Sequence, residues 1–265
     1  MLSHIQQHLA DHPWCDRVHW YDEIGSTNDL ARQMAYEGCP SGTCILAGKQ
    51  TDGHGRMGRS FSSPGGKGVY LSCILRPNCK PEQLMHLTCA AAVAICDAVE
   101  HSSSLRPRIK WTNDLVLGDK KLAGILTELG LESETHSLQY LVTGVGVNVN
   151  HRPEDFEEDI RDMATSLSLA LGRPVRRSVL AAEILRAMDR MYAGFPRNKE
   201  EYLAKYRADC LTPGHHVQLI TPTSREEAYA LEIDDQFRLV VELADGTRKA
   251  LSTGEVSVRG MYGYV

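Results

Sequence analysis

The sequence lacks the features of secreted, zinc-binding and membrane-spanning chains. None of its eight cysteines pairs with another in the C-x-x-C spacing that a zinc site or a thioredoxin-like motif needs, which predicts free thiols. The amino terminus has neither a cationic nor an apolar signal region. The longest nearly apolar run, from Leu87 to Cys96, is about half of the ~20 residues that a membrane span requires. These absences predict a cytoplasmic protein with no membrane partner.

An excess of positive charge is also missing. The 265 residues include 29 Lys and Arg against 34 Asp and Glu, a formal net charge of -5. This balance argues against a broad basic face that follows nucleic-acid phosphates, so DNA is not an expected partner. No repeat with a period of roughly 20 to 50 residues occurs, which excludes solenoids and propellers. The length allows one large domain, or a medium domain with a small companion.

Hydrophobic patterns divide the chain near residue 212. Before it, helical and extended patterns alternate: a helix begins at Ser26 or Thr27 and ends at Gly38, and buried strands are predicted at 43–48, 69–75 and 138–149. After it, short β runs separated by turns predict a small barrel. The sequence therefore predicts an α+β protein with one domain over residues 1–211 and a β-barrel over 212–265.

Residues Gly53 to Gly58 match the G-x-G-x-x-G pattern of dinucleotide-binding proteins, but their context does not fit. That pattern must open a helix, whereas a Ser-Pro-Gly-Gly break at 63–66 and another predicted strand follow here. Glycines let backbone N–H groups approach an anion, and Arg56 and Arg59 present planar forks that fit carboxylate or phosphate oxygens. Residues 53–59, called the arginine loop below, are predicted to bind an anion; the alternative is a flexible solvated loop.

A second group of polar residues surrounds a predicted hairpin. The segment 110–114, Lys-Trp-Thr-Asn-Asp, is followed by a Gly118-Asp119 turn and then by Lys121. If this turn pairs the flanking strands, the chain doubles back and brings Lys121 to the Asn113 end of the segment. An amide, a carboxylate and a cation would then share one region. The alternatives are that Lys121 is a solvated hairpin residue and that Trp111 belongs to the core.

Several segments together resemble the biotin protein ligases. In order along the chain, they are Gly25-Ser26-Thr27-Asn28, Gln50 with the arginine loop, Val69-Tyr70-Leu71-Ser72, the segment 110–114, Lys121-Leu122-Ala123-Gly124-Ile125-Leu126, Gly144-Val145-Gly146-Val147-Asn148 and Gly254-Glu255-Val256-Ser257-Val258-Arg259. The resemblance implies a mixed-sheet catalytic domain, distantly similar to class II aminoacyl-tRNA synthetases, and a carboxy-terminal SH3-like barrel. It implies an enzyme that uses ATP to activate biotin as biotinyl-5′-AMP and then transfers biotin to a lysine of a biotin carboxyl carrier protein.

The same resemblance assigns roles to individual residues. Lys121 and Arg56 are the expected catalytic residues, because cations can offset the charges of two reacting anions. The expected biotin-binding residues are Ser26, Thr27, Asn28, Gln50, His54, Gly55, Arg56 and Lys121. The expected ATP- and adenylate-binding residues are Arg56, Arg59, Trp111, Asn113, Asp114, Lys121 and Asn148. No protein-held metal site is expected, since Mg²⁺ would be held mainly by the phosphates of ATP.

Two residues depart from the family pattern. His54 stands where arginine is common, so an imidazole replaces a permanently charged group. Thr112 replaces the usual proline, and we expect this change to loosen the approach to Asn113.

Three alternatives to this interpretation can be considered. A lipoate ligase or octanoyl transferase shares the catalytic fold and also acylates a carrier lysine. A ligand-sensing regulator of the same family would need an amino-terminal helix-turn-helix module of about three helices, which the 24 residues before Gly25 are too few to hold. A nucleotide-binding or interaction module without enzymatic activity is the third. The resemblance is also compatible with a homodimer formed by antiparallel pairing of two catalytic sheets, although no residue fixes it.

Overall fold

The structure, a computed structural model, describes residues 1–79, 83–132, 137–221, 224–252 and 257–260. Residues 254–256 of the carboxy-terminal motif lie outside the described residues. The predicted thiols are confirmed, because all eight cysteines are free. Among the described helices, none is both long and apolar enough to cross a membrane.

Seven strands form a mixed sheet. They are β1 (Val18–Tyr21), β2 (Cys44–Ala47), β3 (Gly68–Leu75), β4 (Arg108–Lys110), β5 (Asp114–Leu117), β6 (Lys120–Leu131) and β7 (Leu138–Asn148). Their order across the sheet is β1-β2-β3-β7-β6-β5-β4. β1 pairs parallel with β2, and all other neighbours pair antiparallel. β3 is buried along its whole length, which explains its nearly continuous apolar sequence.

Helices cover both faces of this sheet. They are α1 (Leu2–His8), α2 (Thr27–Tyr36), α3 (Leu84–Ser103), α4 (Leu167–Leu171), α5 (Arg177–Gly194) and α6 (Lys199–Asp209). α2 packs Ala31 and Ala35 against Ile45 on one face. Because strand residues alternate between faces, the next residue, Leu46, packs in the cluster that contains α3. α3 is mostly apolar all round because it contacts the sheet, α5 and α6 at once.

Most of the predicted elements are present. The strands predicted at 43–48, 69–75 and 138–149 correspond to β2, β3 and β7, and Ser26 is the N-cap of α2. Between residues 59 and 79, all of which are described, no helix follows the arginine loop, so the dinucleotide-binding pattern is excluded as expected. The sequence did not predict α1, β1, α4 or the short strand Arg248–Leu251. Each of these is too short to show a clear period.

The carboxy-terminal part forms a second sheet. Its strands are β8 (His216–Ile220), β9 (Arg225–Ile233), β10 (Leu239–Leu243), β11 (Arg248–Leu251) and β12 (Ser257–Gly260), in the order β11-β10-β9-β8-β12, and all neighbours are antiparallel. In β10, Leu239, Val241 and Leu243 are buried while the residues between them are half-buried. This alternation gives the sheet one core-facing side. Its closure into an SH3-like barrel remains a prediction.

One hydrophobic core joins the two sheets. Phe237, in the β9–β10 turn, is fully buried and its ring centroid lies 5.6 Å from that of Tyr206 on α6. The indole nitrogen of Trp111 donates to the carbonyl oxygen of Phe237 at 3.0 Å. The backbone N–H of Trp111 donates to Thr212 Oγ1 at 2.9 Å. The division at residue 212 therefore crosses a packed interface, and a two-domain organisation remains a prediction.

We expect Phe237→Ala to destabilise the larger sheet as well as the smaller one. Loss of a fully buried phenylalanine leaves a cavity and typically costs about 3–5 kcal/mol of the free energy of unfolding. All three tryptophans precede residue 212, so tryptophan fluorescence during urea unfolding follows the larger part, with Trp111 also in contact with Phe237. Glu232→Ala, at an exposed position of β9, is the control and should change stability little. An unchanged fluorescence midpoint in Phe237→Ala would contradict a shared core.

Candidate active site

All of the predicted site residues line one cavity of about 400 Å³, within the size range of small-molecule sites. These residues are Ser26, Thr27, Asn28, Gln50, His54, Gly55, Arg56, Arg59, Trp111, Asn113, Asp114, Lys121 and Asn148. The lining has a neutral polar part, which contains Ser26, Thr27, Asn28 and Gln50, and a cationic part, which contains Arg56, Arg59, Lys110 and Lys121. The individual roles of these residues remain predictions.

The start of α2 supplies most of the neutral polar part. Ser26 caps the helix, because its hydroxyl oxygen accepts from the backbone N–H of Asp29 at 3.4 Å. Thr27 and Asn28 occupy the first turn, where they are almost fully buried. Gln50 follows β2 and accepts from the backbone N–H of Thr27 at 2.9 Å. Capping thus fixes the helix start, which in turn fixes the polar groups beside it.

A continuous series of hydrogen bonds joins these polar groups to β3. The hydroxyl of Ser72 lies 2.8 Å from Thr27 Oγ1 and 2.6 Å from Asn28 Oδ1. Thr27 Oγ1 lies 3.0 Å from Gln50 Oε1, and Gln50 Nε2 donates to Ser63 Oγ at 2.8 Å. Buried polar side chains that satisfy one another in this way hold a single arrangement.

Glycines on β7 leave room for neighbouring side chains to pack closely against the sheet. A Cβ atom at Gly144 would lie 2.0 Å from Asn28 Oδ1, and one at Gly146 would lie 2.5 Å from the ring of Phe61. Both distances are far inside van der Waals contact. The Gly-Val-Gly spacing therefore makes room for two side chains that line the cavity.

The arginine loop is folded back on itself. The backbone N–H of Gly55 donates to the carbonyl oxygen of Arg59 at 2.7 Å, and His54 forms an antiparallel bridge with Ser60. Met57 and Gly58 have positive φ values of 58° and 70°, the left-handed region in which Gly58 costs little and Met57 is strained. The side chain of Met57 is half-exposed.

One nitrogen atom of the Arg56 guanidinium group is held by hydrogen bonds to the protein. Its Nη1 donates to Thr112 Oγ1 at 3.0 Å and to Asn113 Oδ1 at 3.1 Å. Its Nη2 is buried without a hydrogen-bond partner among the described residues. Burial lowers the pKa of Arg56, but arginine is effectively always protonated in proteins. A buried donor without a partner suits an anionic ligand.

Thr112 is held through both its side chain and its backbone, and its expected effect on the approach to Asn113 stays a prediction. Its side chain is fully buried and its hydroxyl oxygen accepts from Arg56. Its carbonyl oxygen accepts from the hydroxyl of Tyr206 at 3.0 Å. Threonine provides a hydroxyl acceptor that proline does not have.

The predicted hairpin brings Lys121 to Asp114. β5 and β6 pair antiparallel around the Gly118-Asp119 turn, and Lys121 Nζ lies 2.8 Å from Asp114 Oδ1. The backbone N–H of Lys121 donates to the carbonyl oxygen of Met163 at 2.7 Å. Asn113 is tied to β6 by its Nδ2, which donates to the carbonyl oxygen of Ile125 at 2.6 Å. The hairpin prediction is confirmed.

Three other predicted residues have structural partners as well as a place in the lining. Trp111 is buried and its indole bonds to Phe237, so the core alternative for this residue is correct alongside its position at the cavity. His54 Nε2 lies 3.7 Å from Asp29 Oδ1. Asn148 ends β7 and is buried.

The sequence did not predict the apolar part of the lining. Five of its residues belong to no segment that the sequence analysis singled out: Phe61, Phe156, Ile160, Met163 and Ala164. Four of these lie between β7 and α4, in a segment whose many acidic residues give it the composition of a solvated loop. The available signal was the presence of Phe156, Ile160 and Met163 among those acids.

The absence of a metal site held by the protein stays a prediction. Among the described residues of the lining, Asp114 alone carries a carboxylate, and Lys121 pairs with it. Magnesium sites normally combine carboxylates with water or substrate phosphates. The described part of the chain contains no cluster of three or more His, Cys, Asp or Glu side chains placed to hold a metal.

Comparison with known proteins identifies the family. Residues 20–148 match the biotin/lipoate A/B protein ligase family. The bifunctional ligase/repressor BirA of Bacillus subtilis is 34% identical and is aligned over 88% of this chain and 71% of its own length. The biotin–[acetyl-CoA-carboxylase] ligase of Mycobacterium tuberculosis is 32% identical, over 88% of this chain and 86% of its own length. This chain belongs to the biotin protein ligase family.

Solved structures of the family have the same fold. The biotin protein ligase from Aquifex aeolicus in complex with biotin and ATP is 26% identical, with a TM-score of 0.77 over 92% of this chain and 98% of that one. The Leishmania major biotin protein ligase in complex with biotin is 25% identical, with a TM-score of 0.62 over 89% and 98%. The mixed seven-stranded sheet therefore matches the catalytic fold of the family, as predicted.

We expect Gly144→Ala to weaken binding of a biotin probe on the order of tenfold, because the new methyl group must displace Asn28 and break about one hydrogen bond. Isothermal titration calorimetry measures the change. Gly65→Ala is the control, since a Cβ atom there meets only ordinary contacts with Lys49. Equal affinities in Gly144→Ala and the control would show that the Asn28 position does not matter for binding.

Proposed function

We propose that this chain is an ATP-dependent biotin protein ligase. It activates biotin as biotinyl-5′-AMP with release of pyrophosphate and then transfers biotin to a lysine of a biotin carboxyl carrier protein. The observation that carries the proposal is the meeting of Lys121 and Arg56 in one cavity with the neutral polar part of the lining. Family membership supports it, because relatives named as biotin ligases match most of this chain.

The first step must overcome repulsion between two anions. A carboxylate oxygen of biotin forms a bond to the α-phosphorus of ATP while the bond to pyrophosphate breaks. Two unit charges about 4 Å apart at an effective dielectric constant of about 20 interact by about 4 kcal/mol. Arg56, Arg59 and Lys121 replace that repulsion by attraction. Mg²⁺ enters with ATP on its phosphates, as part of the substrate.

The two best-placed cations have different partners. An ammonium group donates up to three hydrogen bonds, so Lys121 can keep Asp114 and bind a substrate oxygen at the same time. Arg56 offers its buried Nη2 while Nη1 stays on Thr112 and Asn113. Neither cation needs to leave its protein partners to bind the substrate, so little reorganisation opposes the reaction.

In the second step the lysine amine of the acceptor attacks the carbonyl carbon of the mixed anhydride, loses a proton and displaces AMP. Water must be kept from the anhydride until then. The apolar part of the lining, together with an arginine loop that closes over the adenylate, serves this purpose. The exposed Met57 and the strained backbone of the loop are consistent with a segment that moves.

We further propose that residues 1–211 form the catalytic domain and that residues 212–265 form an SH3-like barrel. Five short antiparallel strands and a one-sided core support the barrel. The packing of Phe237 near Trp111 places this part next to the segment 110–114, where it can influence ATP use or acceptor transfer.

The alternative is a lipoate or octanoate ligase, which the breadth of the matched family includes. Biotin-dependent exchange of labelled pyrophosphate into ATP tests the choice directly. We expect exchange with biotin and little with lipoate or octanoate. Exchange that is supported by lipoate alone, or by neither acid in folded protein, would overturn the proposal.

We expect Lys121→Ala to reduce the rate of adenylate formation by a factor on the order of 10² or more, comparable to the loss of an oxyanion donor. Single-turnover formation of biotinyl-5′-AMP is the measurement. Lys120→Ala is a matched control, because Lys120 is the adjacent lysine and is exposed. If both variants form adenylate at similar rates, Lys121 does not act on the reacting groups.

We expect Arg56→Gly to weaken retention of the adenylate more than binding of biotin itself, so that activated biotin is released faster. The ring of biotin binds in the neutral polar part, whereas the adenylate phosphate depends on the cations. Biotinylation of bystander lysines on an added protein measures the leak. Arg17→Gly, a change at an exposed arginine that does not line the cavity, is the control. Retention equal to that of the unmodified protein would contradict the role of Arg56.

A further inference from the structure

The side-chain amides of Asn28 and Gln50 use their nitrogen and oxygen atoms in the same way. Asn28 Nδ2 donates to Glu128 Oε2 at 2.8 Å and to the carbonyl oxygen of Leu126 at 3.4 Å. Gln50 Nε2 donates to Ser63 Oγ at 2.8 Å. Both amide oxygens instead face the hydroxyl groups of Thr27 and Ser72. The amide donors are therefore used by the protein, and the acceptors are gathered together.

Glu128 determines the direction of Asn28. Residues on alternate positions of β6 share one face, and on this face Gly124 and Leu126 line the cavity. Glu128 is the next residue on the same face and is not part of the lining. An ionised carboxylate only accepts hydrogen bonds, so it must face Nδ2 of Asn28 and not Oδ1. The orientation of the amide thus follows from the chemistry of its neighbour.

The orientation of the Asn28 amide affects the neighbouring hydroxyl groups through Ser72. Ser72 has one hydroxyl proton and two oxygen atoms within reach, Asn28 Oδ1 at 2.6 Å and Thr27 Oγ1 at 2.8 Å. With Oδ1 held towards Ser72, Asn28 competes for that proton at the shorter distance. Gln50 Oε1 already accepts from both the hydroxyl and the backbone N–H of Thr27, so the acceptor site left open is on Thr27 Oγ1. An N–H group of a ligand can donate to that site.

We propose that Glu128, through Asn28 and Ser72, makes the neutral polar part of the cavity selective for a ligand with N–H donors. The inference deepens the proposed function and rests on it, because the ureido ring of biotin carries two N–H groups and its carboxylate belongs with the cationic part of the lining. Glu128 is a positioning residue, since it acts on the ligand only through Asn28.

The surface ion pair of Glu128 does not account for this arrangement. Its other oxygen, Oε1, lies 3.4 Å from Arg32 Nη1, and the side chain of Arg32 is half-exposed. Exposed ion pairs of this kind contribute little to stability. The bond to Asn28 is shorter and reaches a residue that is almost fully buried. Changing Arg32 therefore provides a way to remove the ion pair while keeping the bond to Asn28.

The test compares biotin with two analogues in which one or the other ureido N–H is replaced by an oxygen atom. This replacement removes a donor and adds no bulk. Isothermal titration calorimetry on the full chain gives the preference for biotin over each analogue. In Glu128→Gln the new amide can face Asn28 with either its oxygen or its nitrogen, so Asn28 is free to turn. We expect the preference over at least one analogue to fall about tenfold.

Arg32→Gln is the matched control and should keep the full preference. Ser72→Ala removes the hydroxyl that links Asn28 to Thr27, so it should lower the preference as well. This second variant keeps the test valid if Glu128→Gln folds poorly. Equal loss of affinity for biotin and both analogues, or no loss, would overturn the inference while leaving the proposed function intact. Failure of the unmodified protein to bind biotin would overturn both.

Discussion

The placement of Asp114 between cations is the interaction on which the cavity depends. Four Lys and Arg side chains line a small space, and without a counter-charge they would repel one another. Burial lowers the pKa of Arg56, Asp114 opposes this shift, and Arg59 adds to it. The same carboxylate holds Lys121 at 2.8 Å. Asp114 therefore holds Lys121 directly and attracts Arg56 through space.

The neutral polar part is organised by a different force. Its groups carry no formal charge, and the directions of their hydrogen bonds, rather than Coulomb attraction, decide what they bind. This requires close contact between α2 and the sheet, which Gly144 permits because a side chain there would occupy the place of Asn28. Attraction in the cationic part acts on any anion, whereas the hydrogen-bond pattern distinguishes one neutral group from another. One part of the cavity thus neutralises charge, and the other distinguishes ligands by their hydrogen-bond donors and acceptors.

Sequence patterns predicted those parts of the structure whose cause is local. The Gly118-Asp119 turn and its flanking strands are enough to bring Lys121 to Asp114, and Ser26 is enough to start α2. The lining residues Phe156 and Met163 could not be found in this way. They belong to a segment without a hydrophobic period, and it is held by backbone hydrogen bonds to Lys121 from far along the chain. The tight fixing of Thr112 was likewise invisible, because it depends on Tyr206 and Arg56 at distant positions.

The carboxy-terminal sheet contributes to the cavity without lining it. Among the described lining residues, none lies beyond Ala164. The connection runs through the segment 110–114. Trp111 bonds to Phe237 through its indole and to Thr212 through its backbone. The next residue, Thr112, accepts a hydrogen bond from Arg56. The second sheet and the arginine loop are therefore connected by hydrogen bonds to two adjacent residues, Trp111 and Thr112.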